Sequence, residues 1–176
     1  MSNLHVASAD KSTPHHTLFT GQLPRRIIFA CVDASAYRGL YSKSPFNFQP
    51  FGINNVKVIC GGVTYPASPI KIDFTKNRFI QAFSYLYETL DLAHENKGNY
   101  INIGDYKSSH CFFGFDLTPD KDDSGHWDLI KEGSTSIEIE FGQNLPASGV
   151  EIIIYSEFDN MIMIDKDRNT FYDYNA

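Results

Sequence analysis

Two β-rich runs, Val56 to Cys60 and Val63 to Tyr65, are separated only by Gly61-Gly62. Nothing else in the chain restricts its fold as tightly. A two-residue connection between strands needs positive φ at the turn, which glycine adopts without a Cβ penalty. The segment reads as a tight antiparallel hairpin. Pro66 and Pro69 remove backbone donors just beyond it, so pairing is expected to end there.

Other segments extend the β reading. Arg26 to Asp33 is β-branched and apolar on both faces, as in a strand covered on two sides. Cys111 to Asp116 is a short strand closed by Thr118-Pro119-Asp120. Thr135 to Phe141 alternates strictly, which places Ile137, Ile139 and Phe141 inward and Glu138 and Glu140 on the solvent face. Val150 to Phe158 is a long strand, followed by Met161 to Asp165, a turn at Lys166–Asn169 and a short run from Thr170 to Tyr174. One helix interrupts them. Phe79, Ile80, Phe83, Leu86, Tyr87 and Leu90 make a single apolar stripe at helical spacing. Thr75 or Asp73 is placed to cap its start and Asn96-Lys97-Gly98 to stop it, which predicts a helix over about 75–96. The stripe is ordinary core packing. About eight strands with one loop-inserted helix predict an all-β, antiparallel jelly-roll sandwich.

Residues 1–22 are polar and aperiodic, and are expected to form a flexible N-terminal arm; 23–176 is expected to be a single jelly-roll domain. Between Ala34 and Asn55 lies a long connection, which Tyr37, Tyr41, Phe46, Phe48 and Phe51 are expected to pin to the body.

Charge and composition narrow the function. The 176 residues carry a formal charge of −6, and no lysine/arginine cluster occurs beyond Arg25-Arg26. Such a surface neutralises phosphates poorly, so no direct nucleic-acid partner is expected. The longest strictly apolar run, Ile27 to Val32, is far shorter than the roughly 20 residues needed to span a bilayer. No membrane partner is expected, and the polar N-terminus lacks a secretory leader's apolar stretch. Cys31, Cys60 and Cys111 are odd in number, widely spaced and set among apolar residues, which fits reduced thiols and folding in a reducing intracellular compartment.

Chemical motifs are few. Asp120, Asp122, Ser124 and Gly125 match the first positions of a calcium-binding loop, but Lys131 stands where a bidentate glutamate is required, so no calcium site is expected at Asp120–Asp128. The histidines, His5, His15, His16, His94, His110 and His126, have no metal-ligand spacing. There is no nucleophile elbow, dinucleotide fingerprint or P-loop. No catalytic, cofactor-binding or metal residue is assigned, and the chain is not expected to be an enzyme.

A series of segments carries more information. Leu23 to Asp33, Asn47-Phe-Gln49, Phe113 to Asp120, Ile153 to Asn160, Ile164 to Asn169 and Phe171 to Tyr174 resemble, in order, the C-terminal jelly-roll region of a known capsid family. That family is the double jelly-roll major capsid (hexon-like) proteins of Polinton, or Maverick, elements and adintoviruses. The resemblance spans about Leu23 to Ala176 and covers the second jelly roll; a complete member is more than twice as long. It implies a virion structural protein whose partners are copies of itself and other capsid proteins. A trimer is the first expectation for the isolated chain and a higher ring the second. The alternative is a monomeric jelly-roll module that recognises carbohydrate or protein, a domesticated capsid descendant among them.

Overall fold

The computed structural model describes residues 1–13, 16–119, 121 and 129–172. Two four-stranded sheets face each other. One contains, in order, β1 (Ser2–Val6), β8 (Val150–Glu157), β3 (Arg26–Asp33) and β6 (Phe112–Asp116). The other contains β2 (His16–Gln22), β7 (Glu132–Phe141), β4 (Ile53–Cys60) and β5 (Val63–Lys71). Every neighbouring pair is antiparallel. The order 1-8-3-6 over 2-7-4-5, with the chain crossing between sheets everywhere except at the β4–β5 hairpin and never pairing β8 with β7, is that of a jelly roll.

The alternation expected of β7 holds. Ile137, Ile139 and Phe141 are buried, with Ile137 and Ile139 directly beside Val58 and Val56 of β4 in the same sheet, while Glu138 pairs outside with Lys57 at 2.7 Å. In β3, Ile27, Phe29 and Cys31 are buried, and so are Ala30 and Val32 on the opposite face, as a strand covered on both sides requires. Gly61 and Gly62 both have positive φ, 57° and 81°, and turn the chain between β4 and β5. Pairing does not end at Pro66, however. A register shift between Val56 and Val58 absorbs the proline-containing stretch, and Ile70 and Lys71 pair with Val56 and Asn55.

The flexible arm expected over 1–22 is instead two edge strands. Leu4 and Val6 of β1 turn toward the core, and the backbone pairs with Val150–Ile154 of β8. Further on, the Thr13 amide donates to Ile139 O at 2.8 Å, and Thr13 Oγ1 accepts from Ile139 N at 2.8 Å. β2 then follows β7 down to Gln22. An edge strand is held by its backbone and buries one face only, so polar side chains on the other face are no obstacle. The sandwich therefore has eight strands, but two of them come from the arm. The C-terminal runs form a separate two-stranded ribbon, β9 (Ile162–Ile164) and β10 (Thr170–Tyr172).

The helix is shorter than expected. α1 (Ala34–Tyr37) is a single turn, α2 is Ile80–Thr89 and α3 is Ile103–Ser108. The Asp73 carboxylate accepts from the amides of Thr75 and Lys76, and Asp73 and Arg78 exchange backbone bonds; this closed turn delays the start of α2. At its other end Asp91 takes the left-handed conformation (φ 55°), and Leu92 N bonds to Tyr87 O, a Schellman stop well before Gly98. The Arg26 guanidinium pairs with Asp91 and holds it there. Phe79, Ala82 and Leu86 are buried, whereas Ile80 faces outward. The rings of Phe74, Phe79, Phe83 and Phe113 surround Tyr106 of α3 at 5.0–6.5 Å.

Candidate functional site

The connections of the jelly roll emerge at two opposite ends of the sandwich, and each end has a distinct surface. At the first end, Asp33 organises the β3–β4 connection. Its carboxylate caps α1 through Ser35 N at 2.8 Å and accepts from Lys43 Nζ at 2.8 Å and Ser148 Oγ at 2.9 Å. Partial burial alone would raise this carboxyl, but the bonds from Lys43, Ser35 and Ser148 outweigh it and hold the group well below the usual carboxylate range. Further along, Phe48 anchors the connection: its amide donates to Ser109 O, its carbonyl accepts from Cys111 N, and its ring lies 4.9 Å from Phe112.

Phe48 and Phe51 thus pack as expected, but Tyr37, Tyr41 and Phe46 do not. Tyr41 is fully exposed, Phe46 is 76% exposed, and Leu40 and Tyr37 are nearly half exposed. Between Asp33 and Phe48 the chain is tied down by polar bonds, and the rings are free to face outward. Beside this rim, Gln49–Asn54, Ile72–Thr75 and Lys107 border a depression of about 600 Å³. Its charged members already have partners: Asp73 accepts from Thr75 and Lys76, and Lys107 donates to Asn77 Oδ1 at 2.8 Å.

At the opposite end lies a groove of about 260 Å³. Leu23 of the β2–β3 turn, Val63 and Tyr65 of β5, Leu117 after β6, and Leu129 and Ile130 before β7 give it an apolar lining. Asp159, immediately after β8, forms part of its wall. It pairs with Arg25 at 3.2 Å and accepts from Gln22 Nε2 through its backbone carbonyl. The next residues lead into the β9–β10 ribbon.

Among the described residues, no reactive centre emerges from the titratable groups. Cys31, Cys60 and Cys111 are free and buried. Burial pushes the Cys31 thiol up to about 12 and, with Cys31 close by, the Cys111 thiol well above its ordinary value. These are small core residues, poor nucleophiles by chemistry and by access. Burial, and then the neighbouring Cys111 thiol, also raise the Tyr106 phenol. His5 Nδ1 lies 2.8 Å from Oε1 of Glu151, and Asn3 donates to the same carboxylate; the pair stitches β1 to β8. His110 meets Ser109 at 2.8 Å, while His16 and His94 are exposed. His15, His126 and the Asp120–Asp128 loop lie outside the described residues, except for Lys121, which bonds Glu88 at 3.3 Å. Among the described residues, no three His, Cys, Asp or Glu side chains are placed to hold a metal. Among them too, no helix is long and apolar enough to cross a membrane.

Both end surfaces escaped the sequence reading. The Asp33 clamp depends on Ser148, 115 residues away, though Asp33-Ala-Ser35 has the spacing of a helix cap. The groove is assembled from four separate connections, and only the Gly61-Gly62 turn among them carries a motif of its own.

No family model matches the chain, and no solved structure matches it. The chain is 35% identical over 162 residues to an uncharacterized protein of Caenorhabditis elegans, F54H12.2. The aligned stretch covers 91% of this chain and 39% of that protein, so the chain spans about two fifths of its relative's length.

Proposed function

We propose that the chain is a structural, capsid-type jelly-roll subunit that associates with copies of itself. The observation that carries this reading is the conjunction of a complete eight-stranded jelly roll with apolar surface exposed at both of its ends. Tyr37, Leu40, Tyr41 and Phe46 crowd one rim; Val63, Leu129, Ile130 and the ribbon crowd the other. Large exposed apolar patches on a well-packed domain are interaction surfaces. The ordered resemblance to hexon-like capsid proteins of Polintons and adintoviruses supports the same role. The length of the worm relative is compatible with it: 162 residues are 39% of that protein, which leaves more than enough chain for a second domain of this size. Capsid-type function places the assembly in a virion, with other capsid proteins as further partners. A trimer is the first expectation and a larger closed ring the second.

Light scattering across a concentration series tests the proposal. Discrete oligomers that persist at micromolar concentration support it. A chain that stays monomeric at high micromolar concentration and near-physiological salt removes it. A second reading, a monomeric module for carbohydrate or protein recognition, is favoured by the outward rings of Tyr41 and Phe46, which are free to stack on a ligand. Under that reading Tyr41→Ala abolishes ligand binding and the chain remains monomeric throughout.

A further inference from the structure

We infer that the β9–β10 ribbon of one copy docks into the apolar groove at the end of a second copy's sandwich. The inference rests on the self-association reading and names the surface that carries it.

The ribbon's side chains have the wrong environment for an isolated chain. In a strand, successive residues point to opposite faces, so a ribbon lying on the body would bury one alternate set. Ile162, Met163 and Ile164 are consecutive, yet all are more than half exposed, as are Met161 before them and Phe171 on β10. Both faces of the ribbon are therefore apolar and open. A lone two-stranded hairpin is at best marginal in water, and strands of three residues are short even by that standard. The ribbon is built to be covered.

The groove provides the matching half. Its rim residues Val63, Leu129 and Ile130 are themselves more than half exposed, and Leu129 reaches 81%. Ribbon and groove adjoin on one chain, because Asp159 lines the groove and Met161 opens the ribbon. The bonds from Arg25 and Gln22 fix Asp159 against the groove wall, so the ribbon leaves the body beside the groove without filling it. Two complementary apolar surfaces at the same end of one chain are self-complementary between copies. Two molecules can exchange ribbons reciprocally, and three can pass them around a ring; both arrangements close.

The area is adequate. Five large side chains, each exposing about 100 Å², put about 500 Å² of apolar surface on one ribbon. Covering two ribbons removes about 1,000 Å² of ribbon surface from water before any groove surface is counted, the size at which specific interfaces begin.

The test uses the full chain, with light scattering and a dilute-solution melt for every variant. Ile162→Lys with Ile164→Lys on the ribbon, and Leu129→Lys on the groove rim, are each expected to weaken association by roughly 100-fold while the melting temperature stays put. Differently tagged chains carrying Cys60→Ser, because Cys60 lines the groove, one with Ile164→Cys and one with Leu129→Cys, should form a mixed disulfide on mild oxidation; Cys31 and Cys111 are fully buried. If the variants assemble like the parent chain and no mixed disulfide forms, docking by the ribbon is wrong and self-association stands. A large melting loss in the dilute ribbon variant would show that the ribbon packs on its own body, which also overturns the inference. If the parent chain itself is monomeric, both conclusions fall together.

Discussion

The two ends of the chain make opposite use of the β conformation. Strands β1 and β2 are rich in Ser, Asn, His and Thr, and they are integrated into both sheets. Residues 161–172 are strongly apolar at Met161–Ile164, and they stand apart from both. Polarity would suggest the reverse. The difference is that an edge strand is recruited by its backbone amides and carbonyls, which every residue carries, while its side chains need satisfy only one face. An apolar ribbon with two greasy faces gains little from a single edge and requires a surface that wraps it. Hydrophobicity thus marks what needs covering, and backbone pairing decides what is already covered.

The largest effect that would break this contrast is removal of residues 1–22. A merely flexible arm would be dispensable for the melt. Stripping an edge from each sheet, and uncovering core against Leu4, Val6 and Thr13, is instead expected to cost at least about 4 kcal/mol and to lower the melting temperature by about 10 °C or more. Calorimetry of the shortened chain decides between them. A single substitution sharpens the point. Gly149 has φ 79°, and a Cβ there would lie 2.6 Å from the Val6 carbonyl oxygen and 2.7 Å from the His5 ring. Gly149→Ala should destabilise by about 2–3 kcal/mol by forcing β1 off β8, read as a drop in urea midpoint with faster amide exchange across Ser2–Val6.

Asp33 is held by side chains, and its removal is expected to cost less. Asp33→Asn should lose about 1–2 kcal/mol at neutral pH, a modest figure because Lys43 is well solvated. The sign with pH follows from the depressed carboxyl. Its contribution is present in full above about pH 4, the unfolded value, and fades as pH falls through the lower folded value. Urea midpoints of the two proteins should converge in acid. The smallest effect belongs to the ribbon. A chain ending at residue 160 should melt within about 2 °C of the full chain in dilute solution, since the ribbon contributes nothing to its own sandwich.

Local pattern made much of the fold legible. The glycine pair of the β4–β5 turn, the strict alternation of Ile137, Ile139 and Phe141, and the doubly apolar Ile27–Val32 each declare a strand within a few residues. What local pattern lacks is partner geometry. β1 offers only Leu4 and Val6 as inward residues, too few to establish a period, and its recruitment depends on a β8 edge far along the chain. α2 was legible as a helix but not in its extent, because Asp91 is held in its left-handed cap by Arg26, a contact 65 residues distant. The aromatic connection failed in a different way. Residue type predicted packing for five rings, yet only Phe48 and Phe51 reach the body, since the Asp33 clamp orders the intervening chain without them. Of the groove nothing was visible beforehand: its apolar residues are drawn from four stretches far apart in sequence.

The pairing of β1 with β8 also has a consequence in time. Asn3 and Glu151 meet although they are 148 positions apart. At ordinary synthesis rates of about 5–20 residues per second, roughly seven to thirty seconds separate the appearance of one from the other. During that interval the leading segment has no sheet to join. A greasy strand left waiting would be a template for misassociation with neighbouring chains. A polar one stays hydrated until its partner emerges, and then closes the sandwich by its backbone alone. The long sequence separation makes that closure a slow, late event of folding. The hydrophilic character of residues 2–22 is thus suited to the order in which the molecule is made, and the apolar ribbon, synthesised after the groove it fits, never has to wait.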